Sequence, residues 1–135
     1  MTLALDTNVF IDLIRRRRPE VRDRYDEAVL AEKPMVTSLI VFHELQFGVV
    51  SSHNPQRQLL STLEVLEEIA VEPLDEADVG VAAIVRDELR RVGKPIGPYD
   101  LLIAGQALNR GWTLVTSNIK EFERVPGLKL EDWSA

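Results

Sequence analysis

The chain contains no cysteine. That single absence removes disulfides, thiolate metal sites and cysteine nucleophiles together, and it fits a reducing compartment. Histidine is scarce: His43 and His53 are the only two, too few for a zinc cage. Any metal is therefore held mainly by oxygen, and a hard cation such as Mg2+ or Mn2+ is the better match. Positive charge is also in deficit, with 16 Lys and Arg against 22 Asp and Glu and a net charge of −6. Proteins that coat nucleic acid electrostatically carry the opposite surplus. An enzyme that touches a few phosphates remains compatible with this balance, because a metal site would neutralise some of the carboxylates. No window reaches the roughly 18 to 20 uninterrupted apolar residues of a membrane span, and the first residues lack the basic-then-apolar pattern of a secretory signal. These absences lead to the expectation of a cytoplasmic protein with no membrane contact.

What is present suits one domain over residues 1–135, since 45% of the residues are hydrophobic and the length supports one sizeable core. Local patterning predicts strands alternating with helices. Leu3 to Asp6 reads as a short apolar strand, with Thr7 or Asn8 capping a helix through Phe10, Ile11 and Ile14. Pro19 ends that helix, and Arg15 to Arg18 suit its negative C-terminal end. A second helix is expected over about Val21 to Ala31. Met35 to Ser38 reads as a β-branched strand, with Ser38 capping the helix LIVFHELQFGVV. Asn54-Pro55 opens a helix whose expected apolar face is Leu59, Leu63 and Leu66.

Ala70 to Pro73 is expected as a strand. A long helix follows from Asp75, with Val81, Val85, Leu89 and Val92 buried and Gly93 as its stop. Pro98 opens an almost wholly apolar helix that ends at Gly111. Thr113 to Thr116 is a strand, Lys120 to Phe122 a helical turn, and Leu128 to Leu130 an edge strand. The alternation predicts an α/β sandwich with a central, mainly parallel sheet.

In such sheets ligands gather outside the carboxyl ends of the strands. Asp6 and Asn118 fall at strand ends, and Asp100 lies in the first turn of the helix begun by Pro98. Glu44 borders the apolar stripe of Val41, Phe42, Leu45 and Val49, where a carboxylate is costly unless a cation accompanies it. Each residue also has a structural reading: Asp6 and Asp100 as helix-dipole partners, Glu44 as an ion-pair partner, Asn118 as a turn residue, the arginine run as a solvated helix end. Three acids delivered to one edge of the sheet favour a shared divalent ion.

The segments LDTNVFIDL, FHELQFG, PYDLLIAGQAL and TLVTSNIKEFERVPGLKLEDW, in that order and spanning almost the whole chain, resemble a PIN-domain ribonuclease of the VapC toxin type. Within that family the chain is most similar to the branch that cuts initiator tRNA in the anticodon stem-loop. The resemblance implies a PIN-like α/β/α sandwich and a Mg2+-dependent endoribonuclease, with Mn2+ as the alternative ion. It further implies a VapB-type antitoxin, a homodimer, and products bearing a 5′-phosphate and a 3′-hydroxyl. Carried over residue by residue, it makes Asp6, Glu44 and Asp100 the metal-binding catalytic acids. Thr7, Ser38 and Thr116 become hydroxyls that orient carboxylates or water. Many PIN domains have a fourth acid where this chain has Asn118, whose amide brings no charge to a second metal.

RNA must also be gripped. Arg15, Arg16, Arg17 and Arg18, with Arg22 and Arg24, are expected to reach phosphates flanking the cut, and Tyr99 to stack on an unpaired base. Rival classes fare less well. A phosphoacceptor receiver domain wants an Asp ending a central strand, which MVTS and VTSN lack, and a haloacid-dehalogenase phosphatase wants D-x-D where the chain has Asp6-Thr7-Asn8. The remaining alternative is a non-catalytic module on a PIN scaffold, acting only through antitoxin and dimer contacts.

Overall fold

The computed structural model describes all 135 residues. The first strand, β1 (Leu3–Leu5), is buried throughout and passes directly into α1 (Thr7–Arg15). Asp6, rather than Thr7 or Asn8, is the N-cap residue, in extended backbone geometry, and its side chain makes no capping hydrogen bond. An Asp at this position ordinarily spends its carboxylate on the helix N–H groups; here it is left for another use. Arg16 ends α1 in a left-handed conformation (φ 52°), and its N–H returns to the Asp12 carbonyl. Pro19 is thus not the stop. It stands first in α2 (Pro19–Leu30), where its missing N–H costs nothing.

β2 (Met35–Ser38) leads into α3 (Leu39–Val50), with the Ser38 hydroxyl accepting from the Ile40 N–H at 3.1 Å. α4 (Pro55–Leu66) is capped by Asn54 through the Arg57 N–H. β3 (Ala70–Glu72) precedes α5 (Glu76–Arg91), opened by a reciprocal capping box between Asp75 and Asp78. α6 (Pro98–Arg110) stops at Gly111 (φ 68°), and β4 (Thr113–Val115), α7 (Ile119–Phe122) and β5 (Lys129–Glu131) complete the chain.

The sheet has five strands in the order β3-β2-β1-β4-β5, and every pairing is parallel. From β1 the chain builds outward through β2 to β3, then returns to place β4 and β5 on the other side. The strand order therefore reverses at β1, and the crevice outside the carboxyl ends of β1 and β4 is the switch point where open α/β sheets bind ligands. Helices cover the sheet and seal a core that includes Phe10, Ile103, Leu114, Phe122 and Trp133. α6 is the central helix, with Leu101, Ile103, Ala104, Gly105, Gln106 and Ala107 all buried. It crosses α5 so closely that a Cβ on Gly105 would stand 2.5 Å from that of Ala82.

Two expected faces turn out differently. On α4, Leu59 and Leu63 are about half exposed, at 44% and 48%, while Thr62 and Val65 are buried. The Thr62 hydroxyl donates to the Gln58 carbonyl at 2.8 Å, so its burial leaves no unpaired polar group. On α5, Ala82 takes the inward position, Val81 is only partly buried, and Val92 lies beyond the helix end, largely exposed.

Candidate active site

β1 and β4 pair in register up to Leu5 and Val115, and the Asp6 N–H continues the ladder to the Val115 carbonyl at 2.9 Å. The ladder fixes the backbone of Asp6 at the switch point. Its side chain is 5% exposed, and Oδ2 accepts a hydrogen bond from Thr116 Oγ1 at 2.8 Å, 110 residues along the chain. The same Thr116 oxygen accepts the Asn118 N–H, shaping the turn after β4. Across α1, the Thr7 hydroxyl donates to Glu44 Oε1 at 2.8 Å and holds that carboxylate against the start of the helix. Two of the three expected supporting hydroxyls therefore orient acids. The third, Ser38, caps α3 and touches no carboxylate.

Asp100, in the first turn of α6, completes the expected trio, and it brings a fourth acid with it. Glu121 on α7 receives the Gly97 N–H on Oε1 at 2.7 Å and the Asn118 side-chain amide on Oε2 at 2.8 Å. Asn118 thus does not stand in for a missing acid; it positions Glu121, which supplies that charge from three residues further on. The spacing Asn118-x-x-Glu121 has the form of a capping box, so the sequence reads it as helix initiation. Asn118 makes no side-chain cap bond, and the pair is turned to face the acids instead.

The electrostatics follow from crowding four carboxylates with little compensation, Arg124 acting on Glu121 through space only. None of Asp6, Glu44, Asp100 or Glu121 takes part in a salt bridge. Burial pushes the Asp6 carboxyl upward, the Thr116 hydrogen bond pulls against it, and the charges of Glu44 and Glu121 add to the rise. Asp100 is pushed up to about 7, first by burial, then by a hydrogen bond shared with Glu121, then by the charges of Glu121, Asp6 and Glu44. Glu121 moves the other way, held ionised by the Gly97 N–H and, further, by Asp100 and Asn118. Near neutral pH, then, Asp100 keeps a proton far longer than an ordinary carboxyl does, beside an ionised Glu121.

An all-oxygen donor set with surplus negative charge suits a hard divalent ion. No three of the side chains converge as the ligands of a finished coordination sphere do. Direct ligation by Asp6, Glu44 and Asp100 together is therefore not built into this arrangement. The site fits an ion that keeps several waters and takes further oxygens from a substrate, as Mg2+ does.

At the rim, Tyr99 is about half exposed and meets the His43 ring edge-to-face, with centroids 5.7 Å apart. The arginines divide. Arg24 forms a 2.8 Å ion pair with Glu131, which also accepts from Trp133 Nε1, so it ties α2 to β5 and is not free for phosphate. Arg22 donates to the Leu13 carbonyl, lies over Tyr25 and reaches Asp26, and Arg18 stands 3.9 Å from Asp12. Arg15, Arg16 and Arg17 enter no salt bridge.

Comparison with known proteins agrees with this geometry. The family model described as PIN domain matches residues 3–128. A tRNA(fMet)-specific endonuclease VapC of Shigella flexneri is 40% identical over 134 residues, covering 99% of each chain. The protein of the same name in Salmonella typhimurium is 38% identical over 133 residues, 98% of each. Among solved structures, VapBC2 from Rickettsia felis bound to a DNA fragment from its promoter superimposes with a TM-score of 0.92 at 31% identity. The match covers 98% of this chain and 99% of that one. DNA-bound VapBC from Salmonella typhimurium gives a TM-score of 0.90 at 36% identity, covering 98% of both.

Proposed function

The chain belongs to the PIN-domain family, and from that premise we propose that it is a divalent-metal-dependent endoribonuclease, the toxin of a toxin–antitoxin pair, hydrolysing phosphodiesters of tRNA. The observation that carries this reading is the cluster of Asp6, Glu44, Asp100 and Glu121 at the switch point, none of them in a salt bridge and only Glu121 feeling a cation, Arg124, through space. A non-catalytic module on the same scaffold would have no reason to retain four mutually repelling acids, which cost stability when nothing binds them. The relatives named for tRNA(fMet) favour initiator tRNA, cut in its anticodon region, as the substrate.

Mg2+ or Mn2+, when bound, neutralises the phosphodiester and lowers the pKa of a water to make it a nucleophile. The residues of the chain supply the frame. Asp6, held by Thr116, and Glu44, held by Thr7, are carboxylates whose orientation is fixed by those hydroxyls. Asp100, beside Glu121, holds its proton more tightly than an ordinary carboxyl, and a bound cation would favour loss of that proton, linking ion binding to proton release. Asp100 lies in the range suited to moving a proton near neutral pH. Tyr99 offers a half-exposed ring beside Asp100 for an unstacked base.

An unrestrained tRNA nuclease would halt translation, which is why a VapB-type antitoxin belongs to the reading. Solved relatives include VapBC assemblies and a toxin–antitoxin complex from Klebsiella pneumoniae. A cationic side chain, Arg for preference, sent into the acidic cluster by that partner would compete directly with the metal. A homodimer would set two such sites on one particle and give paired antitoxins avidity.

The test is cleavage of total tRNA by the purified chain, with Mg2+, with Mn2+ and with chelator, mapping the fragment ends. Cuts confined to the anticodon region of initiator tRNA, with 5′-phosphate ends, arrested by chelator and abolished by Asp6→Asn or Glu44→Gln, are expected. Expression alone should arrest growth, and co-expression of a neighbouring small antitoxin should relieve it. Intact tRNA after incubation with a folded, Mg2+-supplied protein would overturn the reading.

A further inference from the structure

Alongside the acids runs a groove of about 610 Å³ between α1, the end of α3 and α4. One end is formed by Thr7 and Glu44, which are hydrogen-bonded to each other. The other is bracketed by Arg15, from the last turn of α1, and Arg57, from the first turn of α4. From Thr7 to Arg15 the helix advances about 12 Å. We propose that this groove carries the RNA strand away from the cut, and that Arg15 and Arg57 together clamp a backbone phosphate at its far end. The proposal rests on the ribonuclease reading and adds to it a strand path and a residue, Arg57, that the sequence did not single out.

Three observations support it. Neither Arg15 nor Arg57 takes part in a salt bridge, and no side-chain hydrogen bond occupies either guanidinium. In a chain with a net charge of −6, two unpaired guanidinium groups from different helices face the one groove that also reaches Glu44, and their planar forks match phosphate. Between them and the acids the walls are polar: Ser51, His53, Asn54, Gln58, Ser61 and Thr62, with only Ile11, Ile14 and Leu45 as apolar lining. Hydroxyl and amide groups suit ribose, phosphate and base edges, whereas a docked amphipathic helix needs a continuous apolar floor. Beyond the two arginines a second hollow continues, sharing Ile14, Arg15, Arg57 and Ser61 with the first, and there Arg16 and Arg22 are set among Glu64 and Glu67. Arg15 and Arg57 are the arginines common to both hollows, and they stand where no carboxylate pairs with them, which places the clamp at the join.

The experiment compares wild type, Arg15→Gln, Arg57→Gln, Arg57→Lys and the exposed α5 control Arg86→Gln on total tRNA. It reads KM and kcat for Mg2+-supported cleavage over a salt series, with thermal unfolding to verify each fold. Each Gln variant should raise KM about tenfold with kcat little changed. The dependence of log affinity on log salt should flatten by about 0.7 per lost contact on a single strand. Arg57→Lys should keep most of the affinity, and Arg86→Gln should match wild type. Wild-type KM and salt slope in both Gln variants would overturn the proposal. So would variants that cut normally but no longer co-purify with the antitoxin, which would assign the groove to that protein. If wild type itself fails to cut, the ribonuclease reading falls separately, and total-tRNA binding in chelator over the same salt series still decides whether the groove holds RNA.

Discussion

Asp100→Asn in the metal-free protein separates an acid kept for function from one kept for structure. Burial and the neighbouring acids push Asp100 up to about 7 from its ordinary 3.8. At about 1.36 kcal/mol per pH unit, ionising it at pH 8 costs the folded state at most about 4 kcal/mol. Asp100 is only partly buried, so solvent screening discounts that cost, leaving a net penalty of about 2 kcal/mol. The sign follows from the raised value. Between about 3.8 and 7 the folded state keeps a proton that the unfolded chain releases, so stability falls as pH rises through that window, and the loss is complete above it. The amide cannot ionise. Asp100→Asn should therefore raise the melting temperature in chelator at pH 8 by about 6 to 10 °C for a chain of this size. The gap should shrink by more than half at pH 5 and close toward pH 4. Mg2+ should stabilise wild type at pH 8 and the variant much less, since the ion binds only the folded state and the variant lacks one of the charges that attract it. A variant that melts lower than wild type at pH 8 in chelator would refute the reasoning and make Asp100 a structural residue.

Other outcomes follow from neighbouring features. Glu121→Gln should lower tRNA cleavage by about a hundredfold or more without unfolding the protein, as measured by initial rates and circular dichroism; unchanged rates would remove Glu121 from the site. Asp78, fully buried, is pushed up by burial but held at about 2 by Arg110, Asn109 and the Asp75 N–H. Arg110→Met should therefore cost about 3 to 5 kcal/mol in urea unfolding at pH 7 by stranding that charge. In wild type the Asp78 contribution, about 2 kcal/mol, is present above the ordinary 3.8 and disappears as pH falls through about 2. Gly105→Ala should destabilise by about 1 to 3 kcal/mol, because its Cβ meets Ala82 and α5 and α6 must separate; a neutral result would show that the crossing has slack.

The sequence by itself determined the element order, since that information is local. Ser38 and Asn54 as caps, Pro98 and Gly111 as brackets of the central helix, and β-branched strands between them each act within a few residues, and the fold reproduces them. It also delivered Asp6, Glu44 and Asp100 to one edge, because parallel strands place the ends of all βα units on the same side. Only tertiary structure decided which groups those acids meet. Thr116 reaches Asp6 across 110 residues, and Glu121 enters the site because the Gly97 N–H and the Asn118 amide hold its carboxylate toward Asp100. Its spacing from Asn118 reads locally as a capping box, and no local signal distinguishes the two uses. The outward turn of Leu59 and Leu63 has the same origin: α4 carries apolar residues around more than one face, and its packing on α1 and α3 selects Thr62 and Val65 to go inside. Arg24 and Arg57 are alike in composition, but one is spent on Glu131 and the other is left facing a groove. Charge and periodicity are written along the chain, whereas the partner of a charge is chosen by whatever the fold brings within a few ångströms of it.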